Sequence, residues 1–259
     1  EIFATRLPEP ARAAALEYLA RAIAGLDDPP PLADSELDPA RPNERLALQY
    51  LHKILEGDLA GAIRLVVGVV PDRLDTRAAY LEVLLPAQRE IGRLWHLGEV
   101  NVAEEHLVTA TTQRVMSVLA HGAKIAEPNG LTAVVAAAAN NAHDVGLRAV
   151  ADLYQMEGWK TLFLGANVPA DDLPAILAYF GADLLLLGAT MSTHIVRVEQ
   201  TIAEIRAKSE RPVRVLVGGA AFDEVPELWR KVGADGYAPT VSDALQLGRE
   251  LVTASGRSN

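Results

Sequence analysis

A histidine stands between an apolar run and an amphipathic one, in the segment Asn140-Asn141-Ala142-His143-Asp144-Val145-Gly146. Imidazole is the side chain that transition metals use most often in proteins, so His143 is a candidate metal ligand. Asn141, Asp144 and Gly146 lie beside it in the chain and are candidate cofactor-binding residues. This segment is the first place where the sequence predicts cofactor chemistry.

Two further segments follow apolar runs and consist mainly of small residues. They span 188–194 and 218–221, and their candidate binding residues are Gly188, Thr190, Ser192, Gly218 and Gly219. Small residues let a large flat or extended ligand approach the backbone closely. Phosphate binding is the obvious competitor, but the first segment is not GxGxxG and the chain contains no GxxxxGK[ST]. Neither nucleotide fingerprint is therefore met.

The second half of the chain alternates apolar runs with amphipathic segments. The predicted strands are 131–139, 160–164, 183–187, 213–217 and 236–238, and the predicted helices are 146–157, 171–180, 196–208, 224–232 and 242–253. Continuous apolar strands alternating with helices indicate a parallel sheet covered on both faces. We therefore predict a flavodoxin-like (Rossmann-like) α/β domain with five strands over residues 127–259. Its ligand is expected at the loops after strands 1, 3 and 4, which are the three segments described above.

The first half of the chain is helical in pattern and predicts an all-α domain. Predicted helices at 43–56, 58–67, 73–97 and 101–123 are separated by Gly57, Pro71 and Gly98. Four helices with short connections indicate a four-helix bundle over residues 43–126. Residues 1–42 are predicted to form a short helix (11–25) and a proline-rich arm.

Composition narrows the classes of function. The 259 residues carry a formal net charge of −10 and no cysteine. The absence of cysteine excludes disulfides, thiolate metal sites, Fe–S clusters and a thioether-linked chromophore. Net negative charge disfavours nucleic-acid binding by this chain alone, and no apolar run is long enough to span a bilayer. No nucleophile–base pair or two-carboxylate site is recognisable, so we expect that the protein is not an enzyme. From the composition as a whole we expect a globular protein of the cytoplasm.

His143-Asp144-Val145-Gly146 resembles the second half of the signature D/E-x-H-x-x-G of the cobalamin (B12)-binding domain family. The small-residue segments follow at about the family's distances, and the resemblance covers roughly residues 43–253. It implies that His143 is the lower axial ligand of cobalt, in place of the cofactor's own dimethylbenzimidazole base. It also implies that Gly188, Thr190, Gly218 and Gly219 line the channel of the displaced nucleotide tail, with the bundle covering the upper corrin face.

A pattern in the bundle refines this resemblance. Trp95-His96 is followed by Glu105-His106, which gives W-x9-E-H with a histidine directly after the tryptophan. This is similar to the CarH-type adenosylcobalamin-dependent photoreceptors. In that family the Trp, Glu and His lie against the adenosyl group, and the His after the Trp can bind cobalt once light has removed it. The resemblance therefore implies adenosylcobalamin as cofactor and His96 as a second cobalt ligand after illumination.

Two positions depart from the family pattern. Asn141 stands at the usual acidic position, and Gly188 stands where the family usually has serine. In corrinoid carrier proteins an acid–His–Ser relay manages the proton of the imidazole. Asn141 can orient the ring but cannot take up a proton, which counts against methyl transfer and less against a sensor. The departures also leave open another tetrapyrrole, such as a bilin, which would be held non-covalently because cysteine is absent.

The sequence thus predicts a light sensor that binds adenosylcobalamin between bundle and sheet, and signals through a homo-oligomer or a regulatory protein partner. The alternatives are a corrinoid methyl carrier, a bilin-binding photoreceptor, and a degenerate protein that binds nothing. CarH relatives carry a DNA-binding domain before the bundle, and residues 1–42 are too short and proline-rich to form one. Since the sequence begins at Glu1 rather than Met, we expect either an upstream domain or signalling through another protein.

Overall fold

The computed structural model describes residues 12, 13, 16, 17, 20 and 35, and residues 37–256 except 71, 72, 210, 224 and 226. Most of the predicted helix at 11–25 and the proline-rich arm therefore lie outside the described residues. The chain divides into two compact units, Glu1–Glu36 and Leu37–Asn259. The second unit contains both the helical region and the sheet.

Helices fill the first half of the second unit, as the sequence predicts. They are α1 (Pro42–Leu55), α2 (Leu59–Val67), α3 (Thr76–Ala79), α4 (Leu85–His96) and α5 (Val102–Gly122). A π-helical turn, Tyr80–Leu84, joins α3 to α4, so that 76–96 is one continuous helix with a bulge. The predicted break at Gly98 is real, since Gly98 lies in the short connection between α4 and α5.

Side chains fix where these helices begin. The Asp58 carboxylate accepts a hydrogen bond from the Gly61 amide at the start of α2, and Asp75 does the same for Ala78 in α3. Asn101 and Glu104 form a reciprocal capping box on α5. Each cap satisfies backbone N–H groups that have no partner within the helix. The capping box also engages Glu104 and leaves the neighbouring Glu105 for other contacts.

The second half is a five-stranded parallel sheet in the order β2-β1-β3-β4-β5. The strands are β1 (Thr132–Ala138), β2 (Lys160–Val168), β3 (Leu184–Gly188), β4 (Arg214–Gly218) and β5 (Gly236–Ala238). The helices are α6 (Val145–Met156), α7 (Leu173–Phe180), α8 (Ile195–Lys208), α9 (Leu228–Lys231) and α10 (Val241–Gly256). This is the flavodoxin-like order, in which the strand sequence reverses between β1 and β3 and leaves a ligand crevice there.

Two predicted elements differ from the structure. The second strand continues four residues beyond the predicted Leu164, to Val168, as an irregular ladder with β1. The predicted helix at 224–232 is only the single turn Leu228–Lys231, and positions 224 and 226 lie outside the described residues. Pro226 falls inside that prediction, and proline removes a backbone donor and clashes with the preceding turn of a helix.

Each face of the sheet has its own hydrophobic core. Ala133, Val135, Leu184 and Leu186 join one core with α6, α10 and the helical bundle. The alternate residues of the same strands pack against α7 and α8 on the other face. The bundle therefore shares a continuous core with one side of the sheet, which fixes its position over that side. Within the described residues, no helix is both long enough and apolar enough to cross a membrane.

Candidate cofactor-binding site

The carboxyl ends of four strands lie level with one another. Gly188 at the end of β3 pairs with Ala137 of β1 and with Gly218 of β4, and Gly218 pairs with Ala238 of β5. The loops after β1, β3 and β4 therefore leave the sheet side by side. The structure thus brings together the three predicted binding segments at the crevice where ligands bind in this architecture.

Asn141 anchors the loop after β1. Its side chain is 1% exposed, its Nδ2 donates to the Gly188 carbonyl at 3.1 Å, and its Oδ1 accepts from the His143 amide at 3.1 Å. The Asn140 amide donates to Asn167 Oδ1 at 2.7 Å, and the Asn167 amide donates to the Asn141 carbonyl at 2.9 Å. Asn141 therefore positions the backbone at His143, whereas the sequence led us to expect that it orients the imidazole ring.

His143 lies exposed at this loop, two residues before α6 begins. Across the described residues, no hydrogen bond or ion pair engages its imidazole, so both ring nitrogens are accessible. Gly146, in the first turn of α6, is also exposed, and a Cβ added there would meet no atom within 4 Å. The protein's own packing thus gives no reason for a glycine at this position, whereas a ligand lying against the loop does.

The loops after β3 and β4 pack tightly on each other. A Cβ on Gly219 would lie 2.3 Å from the Ala189 carbonyl oxygen, and one on Gly188 would lie 2.6 Å from Leu147 Cδ1. Thr190 is half-buried, and Ser192 is exposed at the start of the 3-10 turn Ser192–His194. Internal packing by itself accounts for Gly219, and the flexible Leu147 side chain fills the position that a serine at 188 would take.

His194 has a structural role in the loop after β3. Its side chain is 6% exposed, and its Nδ1 accepts a hydrogen bond from the Met191 amide at 3.3 Å. It therefore stabilises the loop from within.

The four residues of the W-x9-E-H pattern lie at one end of the bundle. Trp95 and His96 end α4, Glu105 and His106 are near the start of α5, and only residues 97–101 separate the two helices. Trp95 is 42% exposed and its ring centroid lies 4.8 Å from that of His96. A large exposed aromatic beside exposed polar groups is typical of a binding surface. We refer to Trp95, His96, Glu105 and His106 as the bundle-end cluster.

Glu105 is the member of this cluster that the protein holds most firmly. Its Oε1 accepts from the Thr109 hydroxyl at 2.8 Å, and its Oε2 lies 2.5 Å from His106 Nδ1. The Glu105 side chain is 26% exposed and that of His106 is 74% exposed. Glu105 therefore offers a fixed carboxylate at the bundle end, while His106 is largely surrounded by solvent.

Helix α5 connects the bundle-end cluster to the His143 loop. Gln113 on α5 donates from Nε2 to Asp144 Oδ1 at 3.1 Å, directly after His143 in the chain. Glu105 precedes Gln113 by eight positions on the same helix, which corresponds to about 12 Å along the helix axis. One helix thus carries Glu105 near its start and, about two turns further along, the Gln113 side chain that contacts the His143 loop.

Deeper in the same interface, Tyr80 joins the bundle to α6. The fully buried Tyr80 hydroxyl lies 2.8 Å from the Met116 carbonyl and 2.8 Å from Asp152 Oδ2. The phenol has one proton for two acceptors, so both contacts are hydrogen bonds only when Asp152 is itself protonated. Burial raises the pKa of Asp152, and the Tyr80 hydroxyl and the Arg148 guanidinium oppose that rise only in part.

We expect the free energy of unfolding to depend less on pH in the Asp152→Asn variant than in the wild type. A carboxyl whose pKa is raised by folding stabilises the native state below its unfolded pKa, and this contribution is lost as pH rises through the folded pKa. Asparagine keeps the shape of the neutral acid without titrating. Urea unfolding from pH 4 to pH 8 should therefore show the wild type losing stability relative to the variant as pH rises. Parallel profiles would mean that folding does not raise the pKa of Asp152.

Two residues that contact the site and two that lie behind it were not predicted from the sequence. Gln113 binds Asp144, and Thr109, Gln88 and Thr112 form hydrogen bonds that lead from Glu105 into the bundle. Glu105, Thr109 and Gln113 recur at every fourth position of α5, which places them along one helix face. That periodicity is visible in the sequence and could have identified Thr109 and Gln113.

The donor set fits a cobalt corrinoid. A corrin macrocycle supplies four nitrogen ligands itself, so one accessible imidazole, such as that of His143, would be enough for the protein to hold the cobalt. Among the described residues, no group of three or more His, Cys, Asp or Glu side chains is arranged to hold a metal ion. At the sheet crevice the described residues therefore offer the exposed imidazole of His143 beside open space at Gly146, and the bundle offers the separate bundle-end cluster.

Comparisons with known proteins identify B12 binding domains in this chain. Residues 131–246 and residues 46–120 match two family models, both described as B12 binding domain. A corrinoid protein of Desulfitobacterium hafniense (strain Y51) is 24% identical over 206 residues, covering 77% of this chain and 94% of that protein. The HTH-type transcriptional repressor CarH of Myxococcus xanthus is 31% identical over 143 residues, which are 55% of this chain and 47% of the repressor.

A solved structure shows the same fold. The monomethylamine corrinoid protein of Methanosarcina barkeri superposes with a TM-score of 0.70 at 19% identity, covering 81% of this chain and 99% of that one. At this identity the likeness shows the fold alone. The two matched ranges, one in the helical region and one in the sheet region, place this chain in the family of B12-binding proteins.

Proposed function

We propose that this cobalamin-binding protein is a light sensor that holds adenosylcobalamin between the bundle and the sheet. The observation that carries the proposal is the bundle-end cluster, which places an exposed tryptophan, a fixed carboxylate and two histidines at one end of the bundle. The CarH-type photoreceptors, which the sequence resembles, use this set of residues against the adenosyl group. Bound adenosylcobalamin would supply a light-labile cobalt–carbon bond.

Each residue has a distinct task in this proposal. His143 would hold the cobalt through its imidazole, on a backbone that Asn141 fixes. Trp95 covers the upper ligand and excludes water, and Glu105 accepts hydrogen bonds from its hydroxyl groups. His96, exposed beside Trp95, would be available to bind cobalt after illumination. The small-residue loops at Gly188, Thr190, Ser192, Gly218 and Gly219 border the crevice for the nucleotide tail.

The signal would pass through the bundle. Trp95 and Glu105 would favour one arrangement of α4 and α5 while they contact a bound upper ligand, and the population would shift to another arrangement without those contacts. The output is a change in self-association or in binding to a regulatory partner. We propose that the chain itself turns over no substrate. We do not propose a bilin as cofactor, since none of the relatives named above is described as binding one.

A corrinoid carrier for methyl transfer is the second candidate function. It is supported by similarity to a corrinoid protein over nearly all of that protein's length, and by 26% identity over 155 residues to a dimethylamine corrinoid protein of Methanosarcina acetivorans. Against it, the Asn141 amide is bonded to two backbone groups and cannot accept the proton of an imidazole. Residue 188 is glycine, so the loop after β3 offers no hydroxyl at that position.

The light response distinguishes the two functions. The protein is loaded with adenosylcobalamin in darkness, and its absorption spectrum and its mass in solution are measured before and after green light. A sensor should show an irreversible spectral change together with a change in self-association or partner binding. The Trp95→Ala variant should bind corrinoid but show a smaller change in assembly, since the contact that reports the upper ligand is gone.

Two results would contradict the sensor. Spectral bleaching without any change in assembly, combined with uptake of a methyl group from a methylated donor protein, would support the carrier. Failure of the protein to bind adenosylcobalamin, while it binds hydroxocobalamin, would remove the adenosyl group from the proposal and leave cobalamin binding intact.

A further inference from the structure

A line of hydrogen-bonding side chains runs from Glu105 into the core of the bundle. Thr109 Oγ1 lies 2.8 Å from Glu105 Oε1 and 3.0 Å from Gln88 Oε1. Gln88 Nε2 lies 2.8 Å from Thr112 Oγ1, and the Tyr50 hydroxyl lies 3.0 Å from that same oxygen. Glu105 is partly exposed, whereas Thr112 and Tyr50 are fully buried. The line therefore connects the surface of the bundle end to its interior across α5, α4 and α1.

The number of available protons decides which group of the Gln88 amide faces Thr109. Thr109 has one hydroxyl proton but faces the oxygens of both Glu105 and Gln88. When Glu105 is ionised, Thr109 donates to it, and Gln88 has to present its amide NH₂ to Thr109. A half-turn of the amide achieves this, since its nitrogen and oxygen then exchange places.

In that arrangement every buried polar group in the line has a partner. Tyr50 donates to Thr112, Thr112 to the Gln88 oxygen, the Gln88 nitrogen to Thr109, and Thr109 to Glu105. All donors then point towards the carboxylate, and hydrogen bonds polarised in one direction strengthen one another. The line also fixes one carboxylate oxygen, Oε1, and leaves Oε2 for His106 or for a hydroxyl of a ligand.

We propose that Gln88 is a positioning residue that holds the ionised Glu105 carboxylate in place, through Thr109, to accept hydrogen bonds from a hydroxyl-bearing upper ligand of the corrinoid. The inference rests on the proposed function, which assigns the upper ligand to Glu105. The hydrogen bonds of Gln88 join it to Thr109 and Thr112, so it acts on Glu105 through Thr109. Its effect should appear as a preference for one upper ligand over another.

Adenosylcobalamin and methylcobalamin provide the test, since they differ only in the upper ligand. Dissociation constants for both are measured in darkness on the wild type, Gln88→Met and Thr112→Val. Both variants keep the size of the side chain and remove its hydrogen bonds. Thr111→Val is the matched control, because Thr111 is also buried on α5 but donates to the Leu107 carbonyl of its own helix.

Gln88→Met and Thr112→Val should lower the preference for adenosylcobalamin roughly tenfold, the loss expected when a hydrogen bond to a charged group is weakened. Thr111→Val should leave that preference unchanged. A role of Gln88 in packing alone would instead weaken the binding of both cobalamins equally, and that result would overturn the proposal.

A second measurement uses the protein without cofactor. Glu105→Gln and Tyr50→Phe remove the two ends of the line, which do not touch each other. In the wild-type background, the double variant should shift the urea unfolding midpoint by an amount that differs from the sum of the two single shifts. In the Gln88→Met background the shifts should be additive, because the hydrogen bonds that connect Glu105 to Tyr50 are then interrupted. Additive shifts in both backgrounds would overturn the proposal.

The two proposals can fail separately. Preference for adenosylcobalamin that is lost in Glu105→Gln but intact in Gln88→Met would overturn the role of Gln88 and leave the proposed function standing. A wild type with equal affinity for the two cobalamins would overturn the roles given to Glu105 and Gln88, whereas the light response alone decides whether the protein is a light sensor.

Discussion

Alanine in place of His143 is expected to raise the dissociation constant for hydroxocobalamin by more than roughly 100-fold. Loss of a hydrogen-bond partner around a metal ligand typically costs about 10–100-fold in metal affinity, and loss of the ligand itself should cost more. The imidazole is exposed and engaged by no other group in the described part of the chain, so its removal should leave the fold unchanged. Titration followed at the corrin absorption bands measures the affinity.

Hydroxocobalamin is the probe of choice because its binding does not depend on an organic upper ligand. The result therefore tests cobalt ligation by His143 separately from the light-sensor proposal. His121→Ala serves as control, since His121 is exposed in the last turn of α5 and should leave the affinity unchanged. If His143→Ala binds as tightly as the wild type, with the same corrin spectrum, then His143 is not the cobalt ligand.

The architecture was predictable because two of its strands, β1 and β3, are buried along their whole length. A strand such as β3, with four consecutive leucines, must be covered by helices on both sides, and this requirement gives the sequence its alternation of strand and helix. The crevice followed from the same topology, because the loops after β1, β3 and β4 have to lie together in a flavodoxin-like sheet. His143 could therefore be placed at the crevice before any coordinates were considered.

The extension of β2 was not predictable in this way. Its last four residues, from Gly165 to Val168, are not an apolar run, and their pairing with β1 depends on a left-handed Asn167 whose side chain bonds the loop after β1. Such a contact is set by the geometry of two loops rather than by hydrophobic pattern. The role of Asn141 was missed for the same reason, since its partners are backbone groups.

The line of hydrogen bonds behind Glu105 could be predicted only in part. Thr109 and Gln113 share a face of α5 with Glu105, and that spacing is readable from the sequence. Gln88 and Tyr50 lie on other helices, and the rotation of each helix about its axis decides which of its polar residues meet Thr109 and Thr112. The π-helical turn at Tyr80–Leu84 changes the rotation of α4 relative to α3, and no sequence pattern indicated it.

Gly219→Ala is expected to lower the free energy of unfolding by more than about 3 kcal/mol. Gly219 has φ +98 and ψ 161, a region of the backbone map that only glycine occupies readily. A Cβ there would also lie 2.3 Å from the Ala189 carbonyl oxygen, which is backbone and cannot swing aside. The Ala189 backbone is itself fixed, since its amide donates to the Gly218 carbonyl at 3.0 Å.

Gly146→Ala is the matched contrast, and its expected effect on stability has the opposite sign. The added methyl meets no atom within 4 Å, and alanine favours a helix over glycine by up to about 1 kcal/mol, so the protein without cofactor should become slightly more stable. If the cofactor lies against this loop, the same methyl should weaken hydroxocobalamin binding. Urea unfolding without cofactor and a hydroxocobalamin titration separate the two effects. If Gly219→Ala is as stable as the wild type, the tight packing of the loops after β3 and β4 is contradicted. If Gly146→Ala binds hydroxocobalamin with unchanged affinity, the cofactor does not lie in the open space beside His143.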